Sequence, residues 1–175
     1  MSSPWEPVTS ARTLRGAYSV VLGTVLGSTL WHSYIGGPVA FKALPRQQFG
    51  HLQSKLFPKF FLLQAAASGL LLHWHRRAGK LHRASWNAWL LTVMVSTGLL
   101  NLLFVGPWTT AIMKRRHKLE RLEGKSYSDK PASSAMTELN KKFGIAHSVS
   151  SLANMGFTFA IIAHALSVGE HGPLA

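Results

Sequence analysis

Cysteine is absent from this 175-residue chain, and carboxylates are scarce, with six Asp and Glu against nineteen Lys and Arg. The first absence excludes disulfides, thiolate metal sites and a cysteine nucleophile. The six acids are Glu6, Glu120, Glu123, Asp129, Glu138 and Glu170, and every one lies outside the long apolar stretches described below. An aspartyl-type hydrolase working inside a membrane is therefore excluded, and transport driven by a buried carboxylate is disfavoured. No strand pattern precedes a glycine-rich phosphate loop. A metal site needs at least three converging ligands, and His73 and His75, two apart on a helix, point away from each other. The expectation is a protein that is not an enzyme and has no cofactor and no metal.

Charge of any kind is thin: 14% of residues, against about 25% in a typical soluble domain. What the chain has instead is long runs without Asp, Glu, Lys or Arg. Gly16–Phe41 runs for 26 residues, Ala84–Met113 for 30 and Phe143–Gly169 for 27, while Phe60–His75 adds 16. A helix rises about 1.5 Å per residue, so a hydrocarbon core of about 30 Å needs about 20 apolar residues. Three runs clear that length, and the fourth clears it if its helix begins near Leu52. The expected fold is all-α: a polytopic four-helix transmembrane bundle with spans at about 16–41, 52–74, 84–113 and 143–168. Residues 1–15 form a polar amino-terminal segment and 169–175 a short tail. The first apolar run is too long for a signal-peptide core and is expected to remain as a signal anchor.

The pattern along the chain fills in this outline. Gly23 and Gly27 make a small-xxx-small step that suits close helix packing. Gly36, Gly37 and Pro38 are expected to end or bend the first helix, and Leu44-Pro45-Arg46 to complete the turn. The second helix starts amphipathically, with His51, Lys55 and Lys59 on one face and Leu52, Leu56, Phe60 and Leu63 on another. Pro58 predicts a kink, and Ala65–Gly69 offers a small-residue patch for helix contact. A short basic turn, Arg76–Arg83, leads to Trp86 and Trp89 as interfacial anchors. Gly106-Pro107 interrupts the far end of the third span, and Lys114–Arg121 continues it as a charged helical extension. That extension reads as a solvated face, its Lys and Arg paired with Glu120 and Glu123.

The basic residues flank spans, so a pI near 10.9 points to anionic lipid headgroups and not to nucleic acid. The first and third loops, Lys42–Lys59 and Lys114–Lys142, hold 13 of the 19 Lys and Arg. The positive-inside rule places those loops in the cytosol, although Arg12 and Arg15 pull the other way.

Two groups of residues are candidates for function. Inside the spans, His147, Ser151 and Asn154 share a face of the fourth helix, Asn101 lies in the middle of the third, and His32 lies late in the first, with Ser33 and Gln64 nearby. Together His32, Asn101, His147, Ser151 and Asn154 could hold a polar ligand, relay protons or coordinate a metal. The plainer and favoured reading is hydrogen bonding between helices, at about 0.6–2 kcal/mol per bond. At the interface, Lys42, Arg46, His51, Lys55 and Lys59 either recognise an anionic lipid or phosphorylated partner, or simply reach headgroup phosphates. Simple headgroup contact brings about 1 kcal/mol per basic residue.

Three blocks carry a family resemblance: FKALPRQQFGHLQSKLFPKFF (Phe41–Phe61), GPWTTAIMKRRHKLERLEG (Gly106–Gly124) and KFGIAHSVSSLANMGF (Lys142–Phe157). In that order they resemble the transmembrane protein 205 family, whose signature has a Leu-Pro-Arg turn, then Phe-Gly, then Gln-Ser-Lys-Leu-Phe-Pro. The resemblance implies a four-span domain over residues 16–168 and no established catalytic site. It also implies a loose link to drug resistance and to vesicle or secretory traffic. Departures lie in the loops, where Ser126–Ser134 looks shorter than in animal members. The function expected is a non-enzymatic scaffold or adaptor in membrane organisation or secretory trafficking, with a small-molecule or ion transporter as the alternative. The expected partners are the lipid bilayer, its anionic headgroups and a membrane protein. The endoplasmic reticulum or another endomembrane is favoured as location, with a mitochondrial membrane as the alternative.

Overall fold

The computed structural model describes residues 11–77 and 86–173. The amino-terminal segment up to residue 10, most of the Arg76–Arg83 turn and the last two residues of the tail lie outside the described residues. All regular structure among the described residues is helical.

Four helical rods run antiparallel. The first covers residues 11–43, as α-helix Ala11–Leu30, a π-helical turn Trp31–Gly36 and α-helix Gly37–Ala43. The second is Arg46–Arg77. The third, Trp86–Glu123, contains a second π-helical segment at Asn101–Val105, and the fourth is Ser134–His171. The second, third and fourth are long and apolar enough to cross a membrane. The protein is thus a multi-pass membrane protein.

At about 1.5 Å per residue the third and fourth helices are each about 57 Å long, nearly twice the hydrocarbon thickness. Their far ends leave the apolar zone together and pack on each other as a stalk.

Helix boundaries follow local chemistry. Leu44 takes the extended conformation demanded of a residue before proline and ends the first rod. Gly124, at φ 63°, ends the third. Ser133 caps the fourth, its Oγ accepting the Met136 N–H at 3.0 Å while its hydroxyl donates to Glu123 Oε1 at 2.7 Å.

Three expectations change here. Gly36-Gly37-Pro38, expected to end or bend the first helix, does not end it, and Gly106-Pro107 interrupts the third only as a change of helix type; Gly37-Pro38 and Gly106-Pro107 each follow a π-helical segment through which the rod continues. A proline ring crowds the carbonyl four residues back and supplies no N–H. In both places the glycine before proline donates instead five residues back, Gly37 to His32 O and Gly106 to Asn101 O, in a wider turn. The second helix begins at Arg46 instead of near Leu52, and Pro58 stands inside it.

The first helix packs on the second and fourth, the second on the third, and the third on the fourth, so the ring closes. The core holds Tyr18, Leu22 and Val25 from the first helix, Ala67 and Leu71 from the second, Leu90, Leu91 and Met94 from the third, and Phe157, Ala160 and Ile161 from the fourth. Only about a third of each crossing window is buried inside the bundle, and large apolar side chains such as Phe104 (67% exposed) and Phe159 (66%) face outward. Such an apolar exterior suits hydrocarbon as solvent. Gly98 lets the second and third helices approach: a Cβ there would meet Ala65 N at 3.2 Å and Ala65 Cα at 3.3 Å. Gly23 and Gly27, in contrast, have open space beside them and are exposed.

Candidate functional site

Three polar clusters sit on this frame. The central one joins the first, second and fourth helices. Gln64, fully buried, donates from Nε2 to Thr29 Oγ1 at 3.3 Å and to Asn154 Oδ1 at 3.0 Å. Asn154 passes the chain on, its Nδ2 donating to Ser33 Oγ at 2.8 Å. Beside it Asn101, on the third helix, donates to the Ser150 carbonyl at 3.1 Å. Gln64 Oε1, Asn101 Oδ1, Ser68 Oγ and His32 Nε2 are buried there without a hydrogen-bond partner.

Of the five intramembrane residues singled out from sequence, Asn154 is therefore a hub and Asn101 an adjacent tie. His32 packs on aromatic rings, 4.5 Å from Phe60 and 5.2 Å from Phe57 between centroids. His147 and Ser151 lie on the exposed side of the fourth helix, with His147 stacked on Phe143 at 5.7 Å. The structure does not bring the five into one site. No group of three metal-ligating side chains stands together among the described residues.

A second cluster, not singled out from sequence, lies toward the opposite end of the core. His164 Nδ1 is 3.0 Å from Asn87 Oδ1, and its Nε2 is 2.5 Å from Tyr18 Oη. An amide oxygen only accepts, so the Nδ1 carries the proton, Nε2 is the acceptor and the tyrosine donates. Three helices are thereby tied through one imidazole, with buried His75 on the second helix nearby. The signal was present in Ala163-His164-Ala165, a histidine deep in a charge-free run, where burial demands partners.

The third cluster lies in the stalk, where the reading of a solvated charged face holds for Lys114, Arg115, Lys118 and Arg121, which are exposed, and fails at two positions. Arg116 and Glu120 are buried. Glu120 accepts from Gln47 Nε2 at 3.0 Å and from the Tyr127 backbone N–H at 2.9 Å, so it fastens both the second helix and the following loop. The Arg116 guanidinium lies over the Tyr127 ring at 4.1 Å and near the Phe143 ring at 4.4 Å. Burying Glu120 is tolerable because hydrogen-bond donors surround it. The pattern of alternating charges looked like surface pairing, and nothing local marked these two positions as inward.

The basic set from the first loop does stay outside. Lys42, Arg46, His51, Lys55 and Lys59 are all exposed, with Arg46 over the Phe41 ring at 3.6 Å. The Gln47–Glu120 bond shows that this set and the stalk share one end of the bundle. No solved structure matches the chain. The model of one protein family, described as a domain of unknown function (DUF4149), matches residues 20–118. That match covers more than half of the sequence, and the chain belongs to this family.

Proposed function

We propose that the protein is a non-enzymatic four-span scaffold or adaptor of membranes, of the transmembrane protein 205 type, acting in membrane organisation or secretory traffic. Its first helix, polar late in its course at His32, Ser33 and Tyr34, serves as the fourth span. The basic first and third loops face the cytosol and contact anionic headgroups and a membrane-protein partner, in the endoplasmic reticulum or another endomembrane. The observation that carries this reading is the Thr29–Gln64–Asn154–Ser33 chain. The polar groups within the spans hold helices to one another. The exposed basic set is left as the surface with recognition chemistry.

The test is charge reversal of Arg46, Lys55 and Lys59 to Glu, followed by cross-linking in native membranes. Loss of cross-linked membrane partners, with the chain still in the membrane pellet, supports the scaffold; unchanged partners refute it. A second reading, transport, is favoured by one observation: the acceptors Gln64 Oε1 and Asn101 Oδ1 are buried and unpaired near the bundle centre. It predicts solute flux in proteoliposomes that Asn154→Leu abolishes while the protein remains folded.

A further inference from the structure

The stalk carries a cleft of about 450 Å³ bordered by Arg116, Tyr127, Asp129, Lys130, Asn140 and Phe143, among others. Two of these residues keep unused hydrogen-bonding capacity. Arg116 is 8% exposed, and its Nε–H has no partner. Asn140 spends its Nδ2 on the Tyr127 carbonyl at 3.0 Å, and its Oδ1 has none. An idle buried donor and an idle buried acceptor beside one cleft are each costly; both atoms are closed to solvent, so each side chain must turn toward the cleft before a ligand offering the complementary pair relieves both.

Charge selects the class of ligand. Two cations, Arg116 and Lys130, face one carboxylate at the cleft, Asp129, whose Oδ2 accepts the Ser126 N–H at 2.8 Å, while Glu120 holds Gln47 and Tyr127. No ion pair within 4 Å engages Arg116 or Lys130 among the described residues, although Glu120, one helical turn on, attracts Arg116. The Tyr127 and Phe143 rings lie against the guanidinium, so its approach to an anion is in-plane, the fork geometry that suits phosphate. An ammonium group would meet these cations unfavourably, whereas a neutral hydroxyl can donate to Asn140.

Depth selects the source. Arg116 is three residues beyond Met113, the end of the third charge-free run, and Phe143 opens the last one. At about 1.5 Å per residue the cleft begins about 5 Å past the end of the third run, on the headgroup side of it.

We propose that this cleft binds a polyol phosphate, its phosphate on Arg116 and Lys130 and a hydroxyl on Asn140, presented as the headgroup of a glycerol- or inositol-bearing phospholipid. The proposal rests on the membrane reading above, which places the stalk beside a leaflet.

Native mass spectrometry of the full chain in mild detergent, given equal amounts of phosphatidylinositol, phosphatidylglycerol, phosphatidylserine and phosphatidylcholine, tests it. Phosphatidylinositol and phosphatidylglycerol should be retained over phosphatidylserine, and far over phosphatidylcholine. Arg116→Gln should weaken retention by about tenfold, equivalent to about 1.4 kcal/mol. Because Arg116 is buried, Lys130→Gln, at an exposed position, is the companion variant and should weaken it measurably without unfolding. Competition by millimolar glycerol 3-phosphate or inositol 1-phosphate would show that the headgroup suffices; failure to compete would show that the lipid anchor contributes. Either result is compatible with the site and identifies the source. Equal retention of phosphatidylserine, or retention untouched by both variants, overturns the proposal. That failure differs from failure of the membrane reading, in which the detergent-free chain would stay in the supernatant after ultracentrifugation.

Discussion

Replacing Gln64 by Leu removes the middle of the intramembrane chain while nearly conserving volume, so the loss of hydrogen bonds dominates any cavity effect. Two bonds disappear, to Thr29 at 3.3 Å and to Asn154 at 3.0 Å. Interhelical bonds in membranes average about 0.6 kcal/mol and reach about 1.7, so the gross loss is about 1.2–3.4 kcal/mol. The substitution also removes the unpaired Gln64 Oε1, which returns part of that. A net destabilisation of about 1–2 kcal/mol is expected. Reversible unfolding by dodecyl sulfate in mixed micelles, followed by tryptophan fluorescence, measures it. Asn154→Leu should cost less in the Gln64→Leu background than alone, a coupling of about 0.5–1 kcal/mol, because the shared bond is already gone. If Gln64→Leu is neutral within about 0.3 kcal/mol, or the two changes simply add, the polar chain does not hold the helices and the reasoning behind the scaffold fails.

Gly98→Ala should destabilise by about 1 kcal/mol, because overpacking at about 1–3 kcal/mol exceeds the helix-propensity gain of about 1; Gly27→Ala, with open space beside it, is the matched control and should be neutral or stabilising in the same titration. Gly106→Ala should cost more than Gly98→Ala, since its Cβ would lie 2.5 Å from Asn101 O. It should also shrink the cost of Asn101→Ala by dislodging the Ser150 tie. Tyr18→Phe should lose about 0.6–1.7 kcal/mol through its His164 bond, and a shift no larger than that of an exposed Ser19→Ala would count against the cluster. Glu120→Leu should speed amide exchange at Tyr127 and through the Ser126–Ser133 loop by tenfold or more; unchanged exchange there would mean that the carboxylate does not fasten the loop.

The rods were legible from sequence because charge is a strong signal against hydrocarbon: the described part of the third charge-free run, residues 86–113, and the run Phe143–Gly169 each lie within a single helix. Asn154 and Asn101 were legible for the same reason, since an amide in such a run needs a partner. Facing direction was not. His147 and Asn154 are seven apart, two turns of helix, and share a face in sequence; yet Asn154 reaches Gln64 and Ser33, while His147 lies one stalk-ward step beyond the close contacts and stacks outward on Phe143. In the stalk, Arg116 and Glu120 sit among five other basic or acidic residues, and Gln47 of the second helix and Phe143 of the fourth, together with the loop through Tyr127, decide that these two turn inward. Burial of that kind depends on a distant segment, which no local period encodes.

The two π-helical turns connect the backbone to the polar chemistry. Each ends at a Gly-Pro step, and each begins at a polar stretch: His32-Ser33 follows Trp31 in the first helix, and Asn101 opens the segment in the third. A proline alone would open the helix and leave carbonyls unpaired in hydrocarbon, at several kcal/mol each. The wider turn gives the carbonyls of His32 and Asn101 to Gly37 and Gly106. It leaves the side chains of Ser33 and Asn101 to reach across to Asn154 and to the Ser150 carbonyl on the fourth helix. Both prolines therefore act at the same level of the bundle as the interhelical ties. Removing either the glycine or the amide at one of these turns should weaken the other's contribution, which a substitution elsewhere along the same rods would not do.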